Sequence, residues 1–461
     1  MIGHLFKSTS RIAFSFLPYR LPCLIHERMI HVAVIGAGAG GLCLGRYLTG
    51  QPDVFSTVIY EQTRGVGGTW VYNEKTGVDD NGLPVHSSMY RNLRTNLPKQ
   101  VMAFPDFQFP DDVSSYLTHS QVQQYLEDYA DYFSVRDLIQ FNTQVVRVTP
   151  LVEKTKEKWE VTVKDLKTKN ETTSIFDAIV VCNGHYFEPK IPPIPGIEKF
   201  SGLVMHSHEY RYPEAFKGKK VVLLGAAASG VDISIDLQNS AQAVYLSHHG
   251  KQFACKLPDN LEQHQDIKEV FANGKVLFQD GQTRQADCII FCTGYNFSFP
   301  FLTDDCDITV KDNRITHLYK HLFNINHPSM SFIGLGIRIC PFPQFSLQAQ
   351  LVLSVLSGKF SLPSKEEMFS EEEKDFETKM LKWKNKTHYA HFLGSQQWDY
   401  NNELAELAKC DQIHPIVQNL YEYTWSFRVN DLLGYKNKEF KATSNSTWVD
   451  VDQSHSNSIT G

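Results

Sequence analysis

Short apolar runs, each followed by glycine and then by a helical pattern, recur along this chain. The residues from Ile30 to Ile35 are almost all apolar, and the run ends at Gly36, where GAGAGG leads into the helical pattern LCLGRYL. About 20 residues later a second apolar run, TVIYE, closes on Glu61. Strand, glycine loop, helix, strand and acid in this order form the dinucleotide-binding fingerprint. The pattern therefore predicts an α/β fold that begins with a nucleotide-binding unit.

The same order returns in the middle of the chain. A strand predicted from Lys219 to Leu224 leads into Gly225, Ala227 and Gly230, a helix follows from about Ser229 to Leu237, and AVYLSHH is the next strand. Ala227 stands where the fingerprint has its middle glycine. Phosphate is bound by backbone N–H groups at the helix start, so the extra methyl group leaves the donors in place. An ordinary strand-to-helix turn is the alternative interpretation.

The two units differ at the end of their second strand, and the difference indicates which nucleotide each binds. Glu61 suits a free ribose hydroxyl, whereas Ser247 and His248, with His249 and Lys251 beyond, suit a 2′-phosphate. The first unit is therefore predicted to bind FAD and the second NADPH. The residues predicted to bind FAD are Gly36, Ala37, Gly38, Ala39, Gly40, Gly41 and Glu61, and those predicted to bind NADPH are Gly225, Ala228, Ser229, Gly230, Val231, Ser247 and His248.

A second internal repeat defines the domain organisation. DAIVVCNG (177–184) and DCIIFCTG (287–294) are both apolar strands that end in Cys-polar-Gly, one after each loop. This predicts two Rossmann-like dinucleotide-binding domains, with the NADPH domain inserted into the FAD domain. The predicted parts are an N-terminal extension or targeting segment (1–28), the first part of the FAD domain (29–200), the NADPH domain (201–325), the second part of the FAD domain with C-terminal helices (326–440) and a disordered tail (441–461).

Composition excludes several function classes. The chain has 461 residues and a net charge of −6, which argues against nucleic acid as a partner. Its nine cysteines include no CxxC pair and no zinc-like spacing, so no metal is predicted and a reducing compartment is favoured. No apolar run approaches the roughly 20 residues that span a bilayer, so no membrane anchor is predicted.

The predicted location is cytoplasmic. Residues 1–28 carry Lys7, Arg11 and Arg20 with no acid before Glu27, which leaves a mitochondrial or secreted protein as alternatives. A homo-oligomer is left open.

Four stretches together carry a resemblance to a known family. They are the pair of loops, GVGGTW (65–70), FSGLVMHSHEY (200–210), which fits F-x-G-x-x-x-H-x-x-x-Y, and CTGY (292–295). On these motifs the chain resembles the flavin-containing monooxygenases over residues 29–435. The resemblance implies flavin contacts at Gly68, Thr69, Trp70, Thr95, Asn96 and Gln348.

The resemblance also implies a mechanism. NADPH reduces FAD, oxygen adds to the reduced flavin, and the hydroperoxide gives an oxygen atom to a soft nitrogen or sulfur of a small molecule, such as an amine, a thioether, an alkaloid or a xenobiotic. Asn96 is the predicted catalytic residue, because an amide hydrogen-bonds the hydroperoxide without protonating it; a turn asparagine before Pro98 is the alternative. The C-terminal third resembles alkaloid N-oxygenases.

Three other functions fit parts of the pattern. A Baeyer-Villiger ketone monooxygenase uses the same flavin chemistry but extends the 200–210 motif differently. A disulfide reductase of the two-loop type needs a redox cysteine pair, which the sequence lacks. A non-catalytic FAD-binding interaction protein has no use for a second loop.

Overall fold

The computed structural model describes residues 29–152 and 157–451. The predictions for residues 1–28 and for the last ten residues therefore lie outside the described residues. The helices in this part of the chain are α1 (Ala39–Thr49), α2 (Lys99–Met102), α3 (His119–Tyr132), α4 (Ala228–Asp236), α5 (Pro341–Leu356), α6 (Lys365–Lys382), α7 (Gln397–Ala408) and α8 (Pro415–Arg428).

The strands are more numerous and mostly short. They are β1 (Ile30–Ile35), β2 (Phe55–Tyr60), β3 (Ile139–Gln140), β4 (Thr143–Val152), β5 (Glu157–Asp165), β6 (Glu171–Phe176), β7 (Ala178–Val181), β8 (Glu188–Pro189), β9 (Leu203–His206), β10 (Lys220–Leu224), β11 (Ala243–Ser247), β12 (Leu261–His264), β13 (Ile267–Val270), β14 (Lys275–Phe278), β15 (Thr283–Gln285), β16 (Cys288–Phe291), β17 (Tyr295–Asn296), β18 (Val310–Lys311), β19 (Arg314–Ile315), β20 (Leu318–Tyr319), β21 (Phe323–Asn324), β22 (Met330–Phe332), β23 (Phe440–Ala442) and β24 (Trp448–Asp450).

Two open sheets organise the molecule. The first has the order β20-β21-β22-β7-β1-β2-β3, and the second has the order β12-β11-β10-β16-β9. β1 is parallel to both β2 and β7, and β10 is parallel to both β11 and β16. The central strand of each sheet therefore lies between the strand that follows its helix and the strand that ends in Cys-polar-Gly. The predicted α/β fold with two Rossmann-like units is confirmed.

The central strands are apolar on both faces because both faces are covered. Val32, Ala33 and Val34 are fully buried in β1, and Val221 to Leu223 are fully buried in β10. Helices α1 and α5 cover one face of β1, and β4, β5 and Phe297 cover the other, so the strand does not alternate in polarity. α1 packs against α5, which in turn packs against α7, so the C-terminal helices belong to the first unit.

The chain returns to the first unit earlier than the sequence predicts. Phe297 and Phe301 pack in the cluster that covers one face of β1 and β7, and β20 joins the first sheet at Leu318. The return at residue 326 was placed too late because the segment from 297 to 317 is irregular, and its aromatic residues reveal their domain only through packing.

The predicted disordered tail is wrong for its first part. β23 and β24 form a hairpin in which Phe440 pairs with Asp450. Phe440 is buried, and the ring of Trp448 lies 4.4 Å from the ring of Tyr423 on α8, between centroids. Two aromatic residues in a polar stretch are enough to anchor the hairpin, because each buries a large apolar area.

Candidate functional site

Glycine is required at two positions of the first loop, because the strand end and the helix start pack closely there. Gly36 has φ +102°, and a Cβ there would lie 2.6 Å from the carbonyl oxygen of Cys182. A Cβ on Gly41 would lie 1.9 Å from the carbonyl oxygen of Gly36. The close packing of strand end and helix start at these two positions therefore excludes any other residue.

The start of α1 offers unused backbone donors. Gly38 precedes the helix and supplies no side-chain cap, and the first helical N–H bond runs from Leu42 to the Gly38 carbonyl. The N–H groups of Ala39, Gly40 and Gly41 lie within the turn before that bond. Unpaired N–H groups and the positive end of the helix dipole are the features that bind a pyrophosphate.

Glu61 fixes the loop as well as offering an acceptor. Its side chain is buried; Oε2 accepts the N–H of Ala37 at 2.8 Å, and Oε1 accepts the N–H and the hydroxyl of Thr63, both at 2.8 Å. A carboxylate accepts about four hydrogen bonds, so one site on Oε2 is left for a ribose hydroxyl. Thr63 is a partner that sequence analysis missed.

A tight turn closes over the first loop. Gly68 has φ +56°, and a Cβ there would lie 3.0 Å from the Cα of Gly38. Gly68–Trp70 form a single 3-10 turn, and the hydroxyl of Ser87 donates to the carbonyl of Thr69 at 2.7 Å. The structure thus brings the turn Gly68–Trp70 next to Gly38 at the start of α1.

The second loop repeats the first in detail. Gly225 has φ +106°, and a Cβ there would lie 2.5 Å from the carbonyl oxygen of Cys292, while a Cβ on Gly230 would lie 1.8 Å from the Gly225 carbonyl. α4 starts at Ala228, so Ser229, Gly230 and Val231 form its first turn. Cys292 plays the part here that Cys182 plays in the first loop.

The alanine in the second loop has a simple explanation. Ala227 has φ −79° and ψ −164°, close to the φ −75° and ψ −174° of Gly38. This is extended backbone that any residue adopts, so glycine is not required for the turn. Ala227 and Ala228 are exposed and α4 has no side-chain cap, as expected for a helix start that receives a phosphate.

At the end of β11, the side chains of Ser247 and His248, which the sequence predicts to bind NADPH, are bonded inside the domain. The Ser247 hydroxyl is buried and donates to the carbonyl of Gln265 at 2.9 Å, and His248 is buried with its ring Nε2 3.4 Å from the Gln263 side-chain oxygen. Both side chains already have partners inside the domain. The exposed side chains with nitrogen groups at this strand end are those of His249 and Lys251, and the ring Nδ1 of His249 lies 3.7 Å from a carboxylate oxygen of Asp266.

Asn96 lies on a segment held from one side by the FAD domain. Thr95 is buried; its N–H donates to the Leu117 carbonyl at 2.7 Å, and its hydroxyl accepts the Leu117 N–H at 3.0 Å. The neighbouring Asn96 side chain is half-buried and has no hydrogen-bond partner among the described residues. A fixed backbone with a free amide is the arrangement expected of a ligand-contacting side chain.

Unlike the side-chain amide of Asn96, the side-chain amide of Gln348 has hydrogen-bond partners. It is buried in α5, where its Oε1 accepts the N–H of Gly334 at 3.1 Å and its Nε2 donates to the Tyr400 hydroxyl at 3.0 Å. Both ends of the amide are therefore used to hold the loop after β22. A direct flavin contact by this side chain would share or break one of these bonds.

The 200–210 motif is built into the second sheet, where β9 pairs with β16. A Cβ on Gly202 would lie 2.4 Å from the Asp287 carbonyl, and the Tyr210 hydroxyl donates to Asp236 at 2.6 Å. The ring Nδ1 of His206 accepts the N–H of His208 at 3.1 Å, and burial lowers the pKa of His206 to about 4. His206 is thus neutral at pH 7 and accepts a structural hydrogen bond.

Two cavities lie outside the loops. One of about 450 Å³ lies between α6, α7 and β20, where Lys379, Lys320 and Arg314 are paired with acids of α6. The other, of about 390 Å³, lies between α4 and Leu432–Asn437. Neither cavity is lined by the loop residues 36–41 or 225–230.

Metal and thiol chemistry have little support in the part of the chain that the structure describes. No group of three or more His, Cys, Asp or Glu side chains is placed there to bind a metal. The eight described cysteines are free; burial raises the pKa of Cys292 to about 12 and that of Cys182 further. Across residues 29–152 and 157–451, no helix has the length and apolar character to cross a bilayer.

Comparison with known proteins agrees with this geometry. The model of the flavin-binding monooxygenase-like family matches residues 29–260 and 254–424. Flavin-containing monooxygenase FMO GS-OX-like 4 of Arabidopsis thaliana is 39% identical over 418 residues, which cover 87% of this chain and 92% of that protein. FMO GS-OX5 of the same plant is 41% identical, over 84% of this chain and 86% of its own length.

Solved structures give the same result. S-allyl-L-cysteine S-oxygenase from Allium sativum superposes with a TM-score of 0.83 at 37% identity, over 89% of this chain and 96% of its own. Tmm from a Pelagibacter strain has a TM-score of 0.80 at 27% identity, over 91% and 96%. Cyclohexanone monooxygenase has a TM-score of 0.57 at 16% identity, over 83% and 98%, which supports the shared fold alone.

Proposed function

Since this chain belongs to the flavin-binding monooxygenase-like family, we propose that it takes its electrons from NADPH and transfers one oxygen atom of O2 to the sulfur of a small thioether. The protein is a flavin monooxygenase enzyme, and sulfur or nitrogen oxygenation is the activity of its class. The use of NADPH, the thioether substrate and the roles of individual residues are what we propose.

The repeated loop geometry carries this proposal. Gly36 and Gly225 have the same turn, with φ +102° and +106°. A Cβ added to either glycine would lie 2.6 or 2.5 Å from the carbonyl oxygen of a cysteine. One loop would serve a simple flavin-binding protein, whereas two matched phosphate sites serve two dinucleotides. A non-catalytic role is therefore disfavoured.

The first loop fits FAD. The N–H groups of residues 39–41 would hold its pyrophosphate, Glu61 would hold its ribose, and the turn Gly68–Trp70 would cover it. When bound, FAD accepts a hydride and activates oxygen, one atom of which goes to the substrate and the other to water. The second loop would hold the pyrophosphate of NADPH, with His249 and Lys251 near its 2′-phosphate.

Asn96 is the proposed catalytic residue. Its amide has no hydrogen-bond partner among the described side chains and backbone groups, and its backbone is fixed by the adjacent Thr95. An amide donates a hydrogen bond without releasing a proton. Asn96 would thus hold a polar reacting atom in place without protonating it.

Sulfur is proposed over nitrogen because of one relative. S-allyl-L-cysteine S-oxygenase is named for a thioether substrate and superposes over 89% of this chain. Oxygenation of an alkaloid nitrogen stays a prediction from the sequence.

A cytoplasmic location is part of the proposal, supported by the free thiols of the eight described cysteines. A homo-oligomer likewise stays a prediction.

A matched pair of substrates tests the proposal. Methyl phenyl sulfide and N,N-dimethylaniline differ mainly in the oxidisable atom, and each is given to the FAD-loaded protein with NADPH or NADH while oxygen uptake and the oxygenated product are measured. We expect sulfoxide formation with NADPH to exceed N-oxide formation and to fall with NADH. Faster N-oxide formation would reverse the choice of sulfur, and no NADPH-dependent oxygen uptake with either compound would refute the proposed function.

A further inference from the structure

A polar interdomain seam joins the NADPH-binding helix to the segment that carries Asn96. Its members are Tyr90, Asn92, Asp232, Asp236 and Lys436. Asp232 and Asp236 are one turn apart on α4, so they share one face of that helix. Tyr90 and Asn92 belong to the segment that leads to Asn96.

Asp232 is bonded to this segment both directly and through a lysine. The Lys436 ammonium donates to Asp232 Oδ2 at 2.5 Å and to the Arg94 carbonyl at 3.0 Å, and the Tyr90 hydroxyl lies 3.4 Å from the same carboxylate oxygen. The side chains of Asp232 and Lys436 are only 12% and 17% exposed. In a pair so shielded from water, the loss of one member leaves an uncompensated buried charge, which is strongly destabilising.

Asp236 is bonded to two different elements. Its Oδ1 accepts the side-chain N–H of Asn92 at 2.9 Å, and its Oδ2 accepts the Tyr210 hydroxyl at 2.6 Å. Because each oxygen serves a different partner, Asp236 holds α4, the Asn92 segment and the 200–210 motif in one arrangement.

The opposite side of the segment is tied to the FAD domain. Thr95 exchanges two hydrogen bonds with Leu117, and the Arg94 guanidinium donates to the Tyr116 carbonyl at 3.2 Å. The residues just before Asn96 are therefore held between the FAD domain and α4. A change in either attachment moves Asn96 relative to the second loop.

We propose that Asp232 and Asp236 are positioning residues, which set the distance between the NADPH-binding helix and Asn96 and so the approach of nicotinamide to flavin. This inference rests on the proposed function. A displacement of about 1 Å at a reacting centre slows a reaction by about 100-fold, which is the sensitivity that such positioning would control.

The test compares D232N, K436M, their double variant and D236N with D259N, an exposed acid of the same domain that makes no hydrogen bond or ion pair with the described residues. Anaerobic stopped-flow measures flavin reduction by NADPH, titration measures the Kd of NADP+, and hydrogen exchange follows the amides of residues 90–97. We expect reduction to slow by about 10- to 100-fold in D232N and D236N, while the Kd changes by less than about 3-fold because the loop at Gly225 is untouched.

Faster exchange of residues 90–97 should accompany the slower reduction, and the effects of D232N and K436M should be non-additive because the two groups form one pair. Unchanged reduction and exchange in the variants, or an equal loss in D259N, would overturn the inference. If NADPH fails to reduce the flavin of the wild-type protein, the proposed function is refuted instead. Hydrogen exchange and the stability of the variants would still test the seam in that case. If D232N fails to fold, D236N carries the test, because its amide keeps one acceptor oxygen and presents N–H groups to the second partner.

Discussion

Replacing Gly225 with alanine should disable the second loop and spare the first. Gly225 has φ +106°, where an L-residue is strained by about 1 to 3 kcal/mol. The new Cβ would also lie 2.5 Å from the carbonyl oxygen of Cys292, which is backbone and cannot rotate away. Overpacking of this kind costs about 1 to 3 kcal/mol more.

The two terms together amount to about 2 to 6 kcal/mol, a large part of the roughly 5 to 15 kcal/mol that stabilises a domain. The loop would relieve the strain by moving, which displaces the helix start that binds pyrophosphate. We expect G225A to keep its FAD, measured by absorbance, and to have a KM for NADPH raised at least about 10-fold, equivalent to about 1.4 kcal/mol. Dithionite should still reduce its flavin.

The matched control is A227G in the same loop. Ala227 has extended backbone angles, and glycine is at least as good as alanine before a helix, so we expect no loss of stability and little change in KM. Wild-type melting temperature and KM in G225A would refute the reasoning, and so would equal damage from A227G.

Three further predictions concern the first site and the pH dependence. E61Q should weaken FAD binding to the apoprotein by at least about 10-fold, measured by fluorescence titration, because a glutamine amide would face the N–H of Ala37 or Thr63 donor to donor; unchanged affinity would contradict this. N96A should release hydrogen peroxide in place of product, with the product formed per NADPH falling about 10-fold, the value of one hydrogen bond; tight coupling in N96A would exclude the proposed role. Burial lowers the pKa of His206 to about 4 and of His391 to about 3, below the usual 6.5, so the stability that these neutral histidines contribute is present above pH 6.5 and is lost as pH falls toward 4. At pH 5 the loss in the free energy of unfolding is about 2 kcal/mol for each histidine. Urea unfolding at pH 7.5 and pH 5 should therefore show a smaller pH effect in H391Q than in wild type, and equal pH effects would contradict the assignment.

The elements that the sequence predicts well are local. β1 has the predicted bounds Ile30–Ile35, because an apolar run that ends in glycine contains its own stop signal. The fold class follows from two such units in order, since parallel strands joined by a helix have few possible arrangements.

Other features depend on contacts between distant residues. Lys436 meets Asp232 across 204 positions, and nothing near either residue indicates the other. The inward direction of Ser247 depends on Gln265, and the hairpin near the C-terminus depends on Tyr423. Pattern reasoning finds where a strand or a loop lies, but side-chain partners are set by how the domains fit together.

The helices that follow the two glycine loops begin without a side-chain cap, and a missing cap costs a helix about 1 kcal/mol. A bound phosphate repays this cost, and a ligand at 100 times its Kd adds about 2.7 kcal/mol to the folded state. Protein without bound dinucleotide would therefore unfold more readily than the loaded enzyme, so that ligand binding would set the resistance of the chain to unfolding as well as its activity.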